Sequence, residues 1–125
     1  MSPDHETRPP ADRWQVICLC ADWCGTCRDW RAALARVARS HPQVRFSWVD
    51  IEDEADTVGE IDIETFPTLL IAQGMHPRFF GPVLPHPGTL ERLLASLMAD
   101  PHVAAAPDEA ADLLLRLSSL QLKLI

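Results

Sequence analysis

The sequence predicts an α/β fold: a central mixed β-sheet of about four strands, flanked by helices and followed by an additional C-terminal helix. Three observations carry this reading. Apolar runs of strand length alternate with stretches whose apolar residues recur at helical spacing. Of the 125 residues, 47% are hydrophobic, enough for the core of one domain. The last two strand-like runs are separated only by a tight turn, which adds an antiparallel edge to strands otherwise joined through helices.

Each element follows from its own residues. Residues 14–21 (WQVICLCA) form an apolar run with β-branched and sulfur-bearing side chains, the pattern of a buried strand. In the stretch CRDWRAALARVARS, Trp30, Leu34, Val37 and Ala38 share one helical face, and Arg28, Arg31, Arg36 and Arg39 lie mostly on the other. His41-Pro42 ends that helix, because the residue before a proline is pushed out of the helical region. Residues 44–50 (VRFSWVD) read as a second strand, and 52–61 (EDEADTVGEI), acidic at its start, as a short helix. Residues 68–72 (TLLIA) give a third strand introduced by Phe66-Pro67. A turn at Gln73-Gly74 leads to a fourth at 78–80, ended by Gly81-Pro82. Residues 89–98 form a helix with Leu90, Leu93, Leu94 and Leu97 on one face. A last helix over about 108–122 carries an apolar stripe of Ala110, Leu113, Leu114, Leu117 and Leu120. That stripe suits packing on the core, with a dimer or partner surface as the alternative.

These elements divide the chain into a disordered lead-in (1–13), a domain (14–99) and an acidic, proline-containing linker with the C-terminal amphipathic helix (100–125). The lead-in is polar and proline-rich, with no apolar segment of the kind a secretory signal carries, so the expected location is cytoplasmic. No apolar run reaches 18 residues, which excludes a membrane span of that length. The net charge of −7, without a Lys/Arg stripe, argues against nucleic acid or an anionic membrane as partner. The five histidines are scattered and have no metal-like spacing.

All four cysteines, Cys18, Cys20, Cys24 and Cys27, fall within ten residues, which points to one local site and not to a framework of staples. Cys24-Gly25-Thr26-Cys27 follows a strand and opens a helix. Two intervening residues at a helix start bring two sulfurs within disulfide reach. Cys24 would sit where the helix dipole favours a thiolate, lowering its pKa from about 8.5 toward a range of roughly 3.5–7.5. Cys24 would attack a substrate disulfide, and the more buried Cys27 would resolve the mixed disulfide. Trp23 would shield the attacking sulfur, and Gly25 would permit a tight turn with open access. A zinc site built from all four cysteines is the alternative. Cys18 and Cys20 in an apolar strand speak against it, as does the need for strand and helix ligands to converge tetrahedrally. No metal is expected.

The segment ADWCGTCR resembles the active-site segment of the thioredoxin family, whose usual centre is WCGPC. Phe66-Pro67-Thr68-Leu69-Leu70 resembles that family's cis-proline segment, and Pro67 follows Cys24 by 43 residues, close to the family's separation. Val49-Asp50 resembles the end of its second strand, and Gly81 the glycine that closes its last strand. The resemblance covers roughly 14–99, omits the first strand and helix of full-length thioredoxins, and leaves the C-terminal helix unexplained. It implies a thioredoxin-like fold and a thiol-disulfide oxidoreductase whose only redox group is a Cys24–Cys27 disulfide. Its partners would be disulfide-containing proteins and an upstream reductant such as a thioredoxin reductase or glutathione. In the family, the proline lies against the dithiol and the backbone of the preceding residue, here Phe66, pairs with the incoming peptide. Taken alone, Pro67 reads as an ordinary strand-opening proline.

The sequence departs from the family pattern in three ways. Thr26 replaces the proline between the cysteines, adding an N–H and a hydroxyl near the thiolate. Cys18 stands where a buried aspartate is usual, and Phe46 where its lysine neighbour is usual, so the proton acceptor beneath Cys27 is missing. Cys20 shares a strand face with Cys18. Both read as small buried hydrophobes, with an auxiliary thiol that exchanges with Cys27 as the sharper alternative. A thioredoxin-fold binding or assembly module with little redox activity is the rival function.

Overall fold

The structure, a computed structural model, describes residues 13–21, 25–59, 67–83, 86–99, 108–118 and 123–124. In chain order the elements are β1 (Trp14–Cys20), α1 (Gly25–Ser40), β2 (Arg45–Asp50), α2 (Ala55–Val58), β3 (Thr68–Gln73), β4 (His76–Pro82), α3 (Pro87–Ala99), α4 (Asp108–Ser118) and β5 (Lys123–Leu124). The sheet order is β4-β3-β1-β2-β5. β1 pairs parallel with β2, in the register Cys18↔Trp48 and Cys20↔Asp50. β3 runs antiparallel along the other edge of β1, and β4 closes the hairpin. Among the described strands, parallel pairing through a helix therefore holds only for β1 and β2. The chain after α2 crosses to the far side of β1 and reverses direction.

Period-two alternation along the strands sorts the core into two layers. Val16, Cys18, Cys20, Phe46, Trp48, Leu69 and Ile71 face α1 and α3, where Cys27, Trp30, Leu34, Leu90 and Leu94 meet them. Ile17, Leu19, Val49, Leu70 and Ala72 face the opposite way, against Val58 of α2 and Ala110, Leu113, Leu114 and Leu117 of α4. β1, central and covered on both faces, is buried along almost its whole length, as its apolar composition requires.

The helix and strand ends differ from the sequence reading for local reasons. α2 is four residues long, not ten, because Gly59 takes a positive φ of 67° directly after it. β4 extends to Pro82 instead of stopping before Gly81-Pro82. It is an edge strand, where a missing N–H is tolerated, and its pairing slips by a register shift at Ile71/Ala72. Pro87 starts α3 at the first helical position, where its missing N–H costs nothing, and the amides of Thr89 and Leu90 donate to the His86 carbonyl. α1 ends at Ser40, before His41-Pro42 as expected, and His41 Nδ1–H donates to the Val37 carbonyl at 3.0 Å.

The C-terminal helix packs on the sheet and is not a free surface: its stripe through Ala110, Leu113, Leu114 and Leu117 is buried. The described helix runs to Ser118, whose hydroxyl donates to the Leu115 carbonyl at 2.7 Å; the expected extension to about 122 lies outside the described residues. The pairing of β5 with β2 (Ser47↔Leu124, Trp48↔Lys123) had no signal in the sequence. The described part of 100–125 thus completes the core that 14–99 begins. Residues 1–12, the linker 100–107 and Leu120 lie outside the described residues. No helix among the described residues is long and apolar enough to cross a membrane.

Candidate functional site

The site lies where β1 ends and α1 begins. Cys20 is the last residue of β1, its carbonyl accepting from the Ile51 amide at 2.9 Å, so the β1 and β2 ends stay aligned as both strands leave the sheet. Crevices at the carboxyl ends of parallel strands are where open α/β sheets place their chemistry. Beyond β2, the Asp50 carboxylate accepts from the amides of Glu52 (2.8 Å) and Asp53 (3.3 Å), fixing the turn beside this end.

Cys27 is the third residue of α1 and points inward, against the face of β1 that carries Cys18 and Cys20. Its sulfur is joined to that of Cys20 in a disulfide with a Cα–Cα distance of 5.9 Å, and both residues are 0% exposed. This corrects the reading of Cys20 as a simple buried hydrophobe. It also differs from the expected Cys24–Cys27 pairing, since one sulfur holds one disulfide at a time. Cys24 lies outside the described residues, as do Trp23 and Phe66, and the side chain of Thr26 is likewise not described.

Cys18 keeps a free thiol. Burial pushes its pKa from 9.0 up to about 12. The indole N–H of Trp30 and the charge of Arg31 pull the other way and are outweighed. Arg31 itself lies over the Trp48 ring, its guanidinium carbon 4.9 Å from the centroid. Cys18, Phe46, Trp30 and Trp48 give the disulfide an apolar floor. The buried polar residues among those described are Ser47, Thr68 and Arg78, with no carboxylate. The apolar pair expected from Cys18 and Phe46 is thus in place, and no Asp or Glu is buried beneath Cys27 among the described residues.

Pro67 is buried immediately before β3, and its carbonyl accepts from the Val83 amide at 3.1 Å. The antiparallel register sets Thr68 opposite Leu19, so the next position brings Pro67 to the end of β1 that carries Cys20. Gly81 pairs with Leu69 in β4, and a methyl group there would meet only Phe79 at 3.7 Å, so no crowding demands glycine. Gly25 is exposed at the start of α1, with only the Arg28 side chain near a would-be Cβ. The structure therefore brings Cys20, Cys27 and Pro67 to one end of the sheet. The sequence signal for Cys20 is its two-residue offset from Cys18, and the bond to Cys27 matches the auxiliary-thiol alternative, not the preferred buried-hydrophobe reading.

The family model Thioredoxin matches residues 7–80. Mitochondrial thioredoxin-3 of Saccharomyces cerevisiae is 28% identical over 83 residues, covering 66% of this chain and 64% of its own. An H-type thioredoxin of Fagopyrum esculentum is 36% identical over 56 residues, 45% of this chain and 48% of its own. The chain thus spans about half to two-thirds of the length of these relatives. Among solved structures, thioredoxin from Trypanosoma brucei brucei superposes with a TM-score of 0.63 at 25% identity, covering 79% of this chain and 88% of that one. The oxidised form of the yeast mitochondrial thioredoxin 3 superposes with a TM-score of 0.60 at 24% identity, covering 74% and 88%.

Proposed function

Because this chain belongs to the thioredoxin family, we propose that it is a thiol-disulfide oxidoreductase that reduces or exchanges disulfides of other proteins through Cys24 and Cys27. The observation that carries the reading is the redox-competent sulfur of Cys27: set on the first turn of α1, behind β1, and already engaged in a disulfide.

Cys24 directly precedes the first helical residue, Gly25. The positive end of the helix dipole there favours a thiolate. That thiolate attacks one sulfur of the substrate disulfide; the other substrate sulfur leaves and takes a proton from solvent. Cys27 then attacks the Cys24 sulfur, forming Cys24–Cys27 and releasing the second substrate thiol. The substrate gains two electrons and the dithiol loses two. An upstream reductant, a thioredoxin reductase or glutathione, returns them. Pro67 borders the site; on the family resemblance the backbone of the preceding residue, Phe66, would pair with the incoming peptide, and Trp23, Thr26 and Gly81 are the further residues it assigns to the site. A reducing compartment such as the cytoplasm suits this cycle.

Insulin reduction comparing wild type with Cys24→Ser and Cys27→Ser tests the reading. Turnover in wild type and its loss in both variants is expected; a wild type no more active than the variants would overturn it. The apolar floor beneath Cys27, with no buried carboxylate among the described residues to take a proton, favours a second reading. In it the fold is a binding or assembly module, and inactive wild type would be its signature.

A further inference from the structure

We propose that Cys20 is a third redox-active thiol, and that the disulfide held by Cys27 passes inward from Cys24 to Cys20. The proposal rests on the reading of Cys24 and Cys27 as the exchanging dithiol. Its starting point is that Cys20 and Cys27 are bonded to each other while both are 0% exposed. A disulfide exchanges only when an attacking sulfur reaches one of its sulfurs. A protein substrate or reductant has no such approach to a bond inside the core. Electrons therefore reach Cys20–Cys27 through another cysteine of the same chain.

Of the two remaining cysteines, Cys18 is held as a neutral thiol by its burial. Cys24, three residues before Cys27, is the other. The step balances without any external oxidant. The Cys20 sulfur attacks the Cys27 sulfur of the Cys24–Cys27 disulfide; the Cys20–Cys27 bond forms, the Cys24–Cys27 bond breaks, and the Cys20 proton ends on the Cys24 sulfur. The disulfide consumed is the one that substrate reduction has just created. The oxidised protein then carries its disulfide in the core and presents Cys24 once more as a thiol. Re-reduction runs the same path backwards, Cys24 attacking Cys27. Cys20 thus gives the chain a sheltered oxidised state beside the exchanging one.

Peptide mapping tests this directly. The full chain is oxidised with glutathione disulfide, quenched in acid, alkylated, and cleaved before aspartate. Cleavage at Asp12, Asp22 and Asp29 places Cys18 and Cys20 in peptide 12–21, and Cys24 and Cys27 in peptide 22–28. A Cys24–Cys27 bridge stays within 22–28, whereas Cys20–Cys27 joins the two peptides. The expected result is the joined pair, with fragment ions locating the bridge at Cys27, retained in Cys18→Ser and lost in Cys20→Ser and Cys27→Ser. Peptide 12–21 alkylated at both cysteines, or a join that survives Cys20→Ser, overturns the proposal. Insulin reduction by wild type reports separately on the dithiol reading: turnover without the joined peptide defeats the Cys20 step alone, and absent turnover defeats the dithiol reading on which it rests.

Discussion

Cys20, the last residue of β1, and Cys27, the third residue of α1, are joined by a disulfide across the strand–helix connection, seven residues apart in sequence. Closing so short a loop constrains the unfolded chain modestly, by about 2 kcal/mol in the chain-entropy account. Oxidised protein is therefore expected to unfold at higher urea than the same protein in excess dithiothreitol, by a free energy of about that size. A reduced form as stable as the oxidised one would contradict the pairing as a contributor to stability.

Cys18 sets an alkaline limit. Its folded pKa, about 12, lies above the 9.0 of an ordinary thiol, so the native state holds its proton while the unfolded chain releases it. The sign follows: the contribution is fully present below pH 9 and is lost as pH rises from there toward 12. One such proton gives a limiting slope of about 1.4 kcal/mol per pH unit. Urea midpoints measured above pH 9 should fall more steeply for wild type than for Cys18→Ala.

Gly59 couples α2 to α4. Its φ of 67° is one that L side chains avoid, and a Cβ there would run into the Arg116 guanidinium, which donates to the Val58 carbonyl at 3.3 Å and pairs with Asp112 at 3.0 Å. Gly59→Ala is expected to destabilise by about 1–3 kcal/mol, read by urea denaturation. Equal stability would mean that the turn relaxes freely.

Leu113 fills the layer between α4 and the sheet at 0% exposure. Leu113→Ala should cost about 2–5 kcal/mol, the range for a buried leucine. A chain truncated at Ala99 uncovers Ile17, Leu19, Val49 and Leu70, and is expected to aggregate or to bind a hydrophobic dye. A folded, dye-negative 1–99 fragment would show α4 to be dispensable.

On the family resemblance, Thr26 in place of the family's proline would add an N–H and a hydroxyl near the Cys24 thiolate and so favour the reduced form. In a Cys20→Ser background, which isolates the Cys24–Cys27 couple, redox titration against glutathione should give a potential less negative than thioredoxin's value of about −270 mV. Thr26→Pro should move it back toward that value. An equal or more negative potential before the change would count against the argument.

The α/β class, the strand-to-helix order around the cysteines and the apolar floor were legible in the sequence, because each depends on neighbours close along the chain. The periodicity of residues 14–21 and 27–40 records burial directly. Cys18 and Phe46 announced an uncharged floor by residue type alone. What tertiary structure decided are the relationships between segments far apart or facing one another. β3 takes the antiparallel side of β1, α4 and β5 complete the sheet's second layer and edge, and Cys20 is bonded to Cys27. Alternation states that Cys18 and Cys20 share a face, yet only the packing of α1 on β1 selects which of them meets Cys27. A one-dimensional pattern fixes which side of an element is buried. Which partner covers that side follows from packing in three dimensions, and in this protein that partner turned a cysteine with the pattern of core filler into half of a disulfide.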